Sequence, residues 1–382
     1  MKLNIPVFYY NVASHVLNDW NIQCMDEIPE NLSAVINCEF KIAAISIMLN
    51  SGKPDFFPDP ACVPKNAPED MKKILDQIDL SIFDLVIITD NEYVSVHDIK
   101  QAVARHKIKN YVVALGGLIK NEVLDNSCMV YRPWWSYQVV TLNKFQNTQM
   151  LNKPYMFDAL LGSRRWHRDF VMKEFIQSEL LNQSIITYRN LYKEQDIEKY
   201  NQEYDQNFPE VKISYPYVNS NYSVDWEIPT DSNGTFPITG VPWEIYRQTY
   251  YTILTESRYK IEPCTNKDIF FMSEKTAKPI LAKRLFIVFS ISDFLKQLHD
   301  FGFKTFGNVI DESYDQEPDP FKRFSLAFEQ VRYLHTQDPD QIYQKIQPIV
   351  EHNHQRLYEL QKETRQQMYN LLLSRIPAKF ID

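Results

Sequence analysis

The sequence predicts an α/β protein with two domains, each built around a parallel sheet. Short apolar runs alternate with amphipathic helical patterns, as in sheets whose faces are covered by helices. The alternation stops in an Asn- and Gln-rich segment at residues 142–153 and then begins again. With 382 residues, 44% of them hydrophobic, the chain is long enough for two domains with separate cores.

The first predicted domain covers residues 1–145. Its strand candidates are 5–10, 42–48, 85–89 and 111–115, with helical patterns at 68–78 and 96–106 between them. The run Leu85–Ile88 is apolar on both faces, which is typical of a central parallel strand. Asp90 and Glu92 follow the carboxyl end of that strand, where open α/β sheets bind ligands. The alternative is that Asp90 belongs to a turn and Glu92 to a helix start.

The second predicted domain covers residues 154–325, with a polar insertion at about 191–239. Strand candidates are 155–161, 184–188, 250–255, 270–272 and 286–290, and helical patterns cover 165–181, a segment from 275, and 293–301. Residues 319–375 are almost wholly helical in pattern, with an apolar stripe at helical spacing. We assign 326–382 to C-terminal helices and expect them to pack back on the first domain. The stripe comprises Leu357, Leu360, Thr364, Met368, Leu371 and Leu372.

Composition narrows the possible functions. Only 8 glycines are present, which argues against Gly-rich phosphate loops, and the net charge of -8 argues against a nonspecific nucleic-acid binder. The five cysteines form neither a CxxC pair nor a zinc pattern, which predicts reduced thiols and no metal site. The N-terminus lacks a signal-peptide pattern, and the longest apolar run is far shorter than the ~20 residues of a membrane span. We therefore expect a cytoplasmic protein.

One cluster of charged residues opens the helix predicted from residue 275. Ser273 is a natural N-cap, and Glu274, Lys275 and Lys278 follow it. A helix N-terminus carries unpaired N–H groups and partial positive charge, so the added lysines make it suited to phosphate oxygens. Glu274 can then accept hydrogen bonds from sugar hydroxyls. The alternative is a capped helix with a solvated glutamate and two surface lysines.

A second cluster follows the first strand of the second domain. This strand stops at Gly162 and leads into a helix through Arg164, Arg165 and Arg168. The planar guanidinium fork suits phosphate oxygens, and arginines at a helix N-terminus are unfavourable without a counter-anion. The alternative is that these arginines are exposed first-turn residues or that they pair with Asp158 and Asp169.

The segment SEKTAKPI at residues 273–280, followed by an apolar strand, GFKTF at 302–306 and DESYD at 311–315, resembles a known family. It is similar to the C-terminal half of glycosyltransferase-like proteins of phages and bacteria. It is also distantly similar to the fucosyltransferases, in which an E-N-S triplet precedes a V-T-E-K motif. Glu256-Ser257 matches that triplet without its Asn, and Ser273 stands where the second motif has Thr. The resemblance spans residues 155–323.

This resemblance implies a GT-B architecture, in which two Rossmann-like domains face each other across a cleft and the second holds a nucleoside-diphosphate-sugar donor. It implies that Glu274 meets the ribose or donor sugar and that Lys275 meets the diphosphate. It also implies independence of metal, with the nucleotide-sugar a co-substrate and no cofactor. The donor-binding candidates are Gly162, Arg164, Arg165, Arg168, Glu256, Ser257, Ser273, Glu274, Lys275 and Lys278.

The acceptor side is predicted from the first domain. An inverting transfer needs a carboxylate that takes the proton of the acceptor hydroxyl, and we choose Glu92 for this role, with Asp90 behind it. Trp134 and Trp135 form either an aromatic platform for an acceptor sugar or part of a core. The acceptor is a glycan, a protein or a modified nucleobase, and a viral protein would act in the host cytoplasm. The alternatives are a non-catalytic nucleotide-sugar binding protein and an interaction protein without a small-molecule site.

Overall fold

The structure is a computed structural model that forms two compact units. The six-stranded unit comprises Met1–Trp134, Pro263–Phe271 and Leu360–Asp382, and the four-stranded unit comprises Trp135–Glu262 and Met272–Glu359. The structure describes residues 7–10, 25–27, 39–46, 79–90, 99–100, 103–104, 106–119, 128–131, 133–148, 152–163, 166–189, 240–256 and 269–380.

A parallel sheet forms the centre of the six-stranded unit. Its strand order is β2-β1-β3-β4-β5-β7, and every neighbouring pair is parallel. A separate antiparallel pair joins β6 to β11. The strands of this unit are β1 (Val7–Tyr10), β2 (Met25–Glu27), β3 (Ile42–Ser46), β4 (Leu85–Asp90), β5 (Tyr111–Leu115), β6 (Leu118–Ile119), β7 (Met129–Tyr131) and β11 (Ile269–Phe270).

Strand β4 shows why this sheet forms. Leu85, Val86, Ile87 and Ile88 are all fully buried, and β4 lies between β3 and β5. A strand with apolar side chains on both faces is stable only when both faces are covered. The run Leu85–Ile88 thus forms an interior strand of the sheet.

The four-stranded unit is also built on a parallel sheet, with the order β12-β10-β8-β9. Its strands are β8 (Tyr155–Ser163), β9 (Ser184–Arg189), β10 (Thr249–Thr255) and β12 (Phe286–Phe289). The α-helices of the described chain are α1 (Trp134–Leu142), α2 (Trp166–Gln177), α3 (Trp243–Gln248), α4 (Glu274–Leu281), α5 (Phe294–Asp300), α6 (Pro320–His335) and α7 (Pro339–Leu373).

Helix α6 illustrates how sequence signals build this unit. Asp319 caps it by accepting a hydrogen bond from the Lys322 backbone N–H, and Pro320 occupies the first helical position, where its missing N–H costs nothing. The helix then buries Phe324 against Phe289, with ring centroids 5.5 Å apart. Aromatic packing thereby fixes α6 beside β12.

The order of the four strands creates a switch point. The chain runs from β8 to its neighbour β9 and then returns to add β10 on the other side of β8. In parallel sheets of this kind, ligands bind outside the carboxyl ends of the two strands at which the chain changes direction. The ends of β8 and β10 therefore mark the place where a ligand is expected.

The prediction of an α/β protein is confirmed, since both large sheets are parallel and helices alternate with the strands of the four-stranded sheet. Strands β2, β6 and β7 have two or three residues each and were not predicted. The strand predicted at 270–272 is observed at Ile269–Phe270, paired with β6. The predicted helix at 68–78 and the insertion at 191–239 lie outside the described residues, and the helix at 96–106 is described only in part.

Helix α7 contains the predicted apolar stripe. Leu357, Leu360, Met368 and Leu372 are each at most 5% exposed. Residues 339–359 of this helix belong to the four-stranded unit and residues 360–373 to the six-stranded unit. Within the described part of the chain, no helix combines the length and the apolar character that crossing a membrane requires.

Candidate functional site

The candidate site lies at the carboxyl ends of β8 and β10. Strand β8 ends at Ser163 and α2 begins at Trp166, while β10 ends at Thr255 and is followed directly by Glu256. Helix α4, which begins at Glu274, contacts β10. Two helix N-termini and the end of a central strand thus contribute to one region of the four-stranded unit.

Glu256 connects β10 to the start of α4. Its side chain is fully buried, and Oε1 accepts hydrogen bonds from the Ser273 backbone N–H at 3.2 Å and the Thr276 hydroxyl at 2.5 Å. Oε2 accepts a hydrogen bond from the Ser273 hydroxyl at 2.7 Å. Three donors on one buried carboxylate fix the position of the first turn of α4. Glu256 therefore acts as a positioning residue for that helix.

His167 connects the start of α2, which follows β8, to the end of β10. It lies in the first turn of α2, is fully buried, and places Nε2 3.0 Å from the backbone oxygen of Glu256. Arg168, the next residue, is 4% exposed. The start of α2 and the end of β10 are therefore held together by a direct polar contact.

The first turn of α4 carries two oppositely charged side chains, Glu274 and Lys275. The Ser273 hydroxyl caps the helix by accepting the Lys275 backbone N–H at 3.2 Å. Lys275 Nζ lies 2.8 Å from Glu274 Oε1, and these side chains are 23% and 11% exposed. Lys278 follows one turn later and is partly buried. The start of α4 thus combines backbone N–H groups, Lys275 and one carboxylate, and Lys278 lies one turn further along.

The ionisation of this turn follows from burial and from the charges within it. Burial disfavours the charged form of Glu274, but the charges of Lys275 and Lys278 outweigh this effect and lower its pKa. Burial lowers the pKa of Lys278 to about 8, against the opposing charge of Glu274. At neutral pH Glu274 is therefore ionised and Lys278 is predominantly protonated.

The structure brings together five of the predicted donor-binding residues: Glu256, Ser273, Glu274, Lys275 and Lys278. Arg168 lies in the turn of α2 that contacts the end of β10 through His167. Gly162 is part of β8, at an irregularity in the pairing with β9.

Four of the predicted site residues lie outside the part of the chain that the structure describes: Arg164, Arg165, Ser257 and Glu92. Asp90 is the last residue of β4, and Trp134 and Trp135 are the first two residues of α1, but their side chains are outside the described part of the structure.

No protein-family model matches the chain, and no curated protein is significantly similar to it. The function of the site is therefore argued from its residues and geometry.

The residues of the DESYD segment shape loops beside β12. Asp315 accepts hydrogen bonds from the backbone N–H groups of Leu295 at 2.9 Å and Lys296 at 3.1 Å, and so caps α5. Glu312 accepts the Phe306 backbone N–H at 2.7 Å. Arg323 donates to the backbone oxygen of Ser290 at 3.0 Å. The DESYD segment therefore has clear structural roles in this chain.

The sequence alone did not identify Thr276 or the contact made by His167. Thr276 differs from other helical threonines only in its distance to Glu256, which no local pattern reveals. The position of His167 beside Arg168 in the sequence does not indicate its contact with Glu256. Asp158 pairs with Arg284 at 2.6 Å.

The carboxyl group of Asp315 predicts a pH dependence of stability. Burial raises its pKa to about 6, although two backbone N–H bonds and Arg323 oppose the shift. The folded state therefore binds this proton more tightly than the unfolded chain, whose aspartate pKa is about 3.9. Its contribution to stability is full below pH 4 and is lost as the pH rises through 6.

We expect the stability of the wild type relative to Asp315→Asn to fall by roughly 2–3 kcal/mol between pH 4 and pH 7, since asparagine does not titrate. Urea unfolding of both proteins across this range measures the difference. A relative stability that rises with pH would contradict this assignment.

Proposed function

We propose that the four-stranded unit binds a nucleoside-diphosphate-sugar and that the protein is an inverting, metal-independent glycosyltransferase. The observation that carries the proposal is the position of the α4 N-terminus. Its capped, lysine-bearing first turn is tied by Glu256 to the end of β10, beside the switch point where such sheets bind ligands. A pyrophosphate is the kind of group that a helix N-terminus with two lysines suits.

Each residue of the cluster has a role in this proposal. Lys275 and the backbone N–H groups of the first turn would bind diphosphate oxygens, and Lys278 would add positive charge. Arg168 would contribute from the start of α2. Glu274, held ionised by its neighbours, would accept hydrogen bonds from hydroxyls of the ribose or donor sugar. These cationic groups would stabilise the negative charge on the leaving diphosphate.

The GT-B arrangement and the chemical step belong to the same proposal. The six-stranded unit would supply the base, Glu92 with Asp90 behind it, and Trp134. The second aromatic acceptor residue, Trp135, is the first residue of the four-stranded unit. The base would take the proton of the acceptor hydroxyl as its oxygen bonds to the anomeric carbon. The bond from that carbon to the diphosphate oxygen would break on the opposite side, which inverts the configuration.

Nucleotide binding tests this function. We expect one or more of UDP, GDP, dTDP and ADP, or their sugars, to raise the melting temperature by a few degrees. A ligand at about 100 times its dissociation constant adds about 2.7 kcal/mol. Lys275→Glu should abolish that shift. The melting temperature of Lys275→Glu without nucleotide shows whether the variant is folded, because the substitution also breaks the ion pair with Glu274.

Lys296→Glu is the matched control, because it makes the same charge change at a side chain that is 63% exposed on α5. It should leave the shift intact. A shift that survives Lys275→Glu would place the diphosphate elsewhere, and no shift at millimolar concentrations would favour an interaction protein. A nucleotide-sugar that shifts the melting temperature and is never consumed would favour a non-catalytic binding protein.

A further inference from the structure

A pocket lies near the amino ends of the strands of the four-stranded sheet, whereas the candidate site lies at their carboxyl ends. Aromatic and aliphatic side chains form most of its wall, and Lys153 lines it just before β8 begins. Tyr250 and Tyr251 come from β10, Leu285 precedes β12, and Tyr343 and Ile346 come from the first turns of α7. The pocket thus places the amine of Lys153 beside apolar side chains, and its other charged lining residues are Lys283, Arg284 and Asp340.

The amine of Lys153 shares its hydrogen-bond acceptors with another cation. Lys153 Nζ donates to the backbone oxygens of Tyr246 and Thr249, each at 2.8 Å. Arg284 Nη1 donates to the same two oxygens, at 2.8 Å and 2.7 Å. The nitrogens of the two groups are therefore close neighbours. Among the described residues no carboxylate pairs with Lys153, because Asp158 is bonded to Arg284.

This arrangement disfavours the protonated amine. Burial and the Arg284 charge lower the pKa of Lys153 to about 7, and Asp158 opposes the shift. The other charged groups lining the pocket are Lys283, which pairs with Glu351, and Asp340 on α7. At pH 7 about half of the Lys153 side chains are neutral, whereas fewer than about one in a thousand exposed lysines are. A neutral amine keeps two N–H donors for the two carbonyl oxygens and has a lone pair.

We propose that Lys153 is a nucleophilic amine that condenses with small aldehydes or ketones admitted by this pocket. The nitrogen lone pair forms a bond to the carbonyl carbon. The carbonyl oxygen receives one proton from the amine and one from solvent and leaves as water, which yields an iminium ion. The iminium retains one N–H for one of the two backbone oxygens, and Arg284 already donates to both. A lysine activated by burial and a neighbouring cation is a known route to such adducts.

The lining residues define the class of carbonyl compound. Tyrosine rings and aliphatic side chains favour an apolar or aromatic body next to the carbonyl group. Among the described residues the buried hydroxyl of Tyr251 has no hydrogen-bond partner, so a polar substituent that reaches it would supply one. Small carbonyl compounds with an apolar chain are therefore preferred over charged ones.

Reductive trapping tests the proposal. The full-length protein is treated at pH 7 with propanal and sodium cyanoborohydride, which reduces an iminium to a stable secondary amine. Mass spectrometry of peptides then gives the rate of modification at each lysine. We expect Lys153 to react at least about tenfold faster than Lys296 and Lys322, whose side chains are 63% and 67% exposed and pair with carboxylates.

The pH dependence of the modification rate and its selectivity in urea test whether the folded pocket activates Lys153. The rate at Lys153 should level off above pH 7 to 8, while the rates at Lys296 and Lys322 continue to rise beyond pH 9. In concentrated urea the selectivity should disappear, since it depends on the folded pocket. The proposal is overturned if Lys153 reacts within tenfold of the exposed lysines at pH 7, or if its preference persists in urea. Nucleotide is not needed, so this outcome is independent of the glycosyltransferase proposal.

Discussion

Replacing Arg284 with methionine is expected to lower the free energy of unfolding of the four-stranded unit by about 3–5 kcal/mol. The side chains of Arg284 and Asp158 are 2% and 0% exposed and form a 2.6 Å ion pair. Arg284 also donates to the hydroxyls of Thr249 and Thr252. Its removal leaves a buried carboxylate without its cation. Urea unfolding of the wild type and the variant measures the effect.

Arg332→Met is the matched control for this substitution. Arg332 pairs with Glu174 at 2.6 Å, but its side chain is 39% exposed. Solvent screens such a pair, and the same change should cost no more than about 1 kcal/mol. Equal losses in the two variants would show that burial of the Arg284 pair is not what makes it important.

Replacing Glu256 with alanine is expected to cost about 2–4 kcal/mol and to weaken nucleotide binding. The substitution removes the acceptor for the Ser273 backbone N–H and for two hydroxyls in the buried space between β10 and α4. The first turn of α4 then loses its fixed position, and Lys275 moves with it. Urea unfolding and calorimetric titration with the best nucleotide measure the two effects.

Glu256→Gln separates position from charge. Glutamine Oε1 still accepts from Ser273 and Thr276, and its Nε2 can donate to the Ser273 hydroxyl oxygen. This variant should therefore recover more than half of the lost stability and most of the binding. If alanine costs less than about 1 kcal/mol, Glu256 does not hold α4 in place.

The strands of both large sheets could be predicted where local pattern determines them. The apolar run at Leu85–Ile88 predicts a strand that is covered on both faces. Short apolar segments likewise predict β8 and β10. Helix α6 has both a cap and an N-terminal proline in its sequence. In such segments the local signal and the final packing agree.

Pairing between distant segments could not be predicted in the same way. Strand β11 has two residues and pairs with β6, about 150 positions earlier, and neither contains enough pattern to identify its partner. Strand order also depends on long-range contacts. The switch point between β8 and β10 therefore became visible only in the structure.

In the candidate site, too, the local sequence predicts some features, and others depend on long-range contacts. The cap at Ser273 and the lysines of α4 follow from the local sequence, because helix termini have known preferences. The burial of Glu256 and its bond to Thr276 depend on the packing of α4 beside β10. Lys153 and Arg284 share acceptors although they lie far apart in the sequence, so their coupling has no local signal.

The proposed glycosyltransferase function depends most on the binding of a nucleoside diphosphate by the first turn of α4, beside the ends of β8 and β10. Amide hydrogen exchange, measured with and without the nucleotide that gives the largest thermal shift, tests it directly. We expect slower exchange in peptides that cover residues 273–278 and 166–168. Protection confined to the six-stranded unit, or to the segments around Lys153, would contradict the claim.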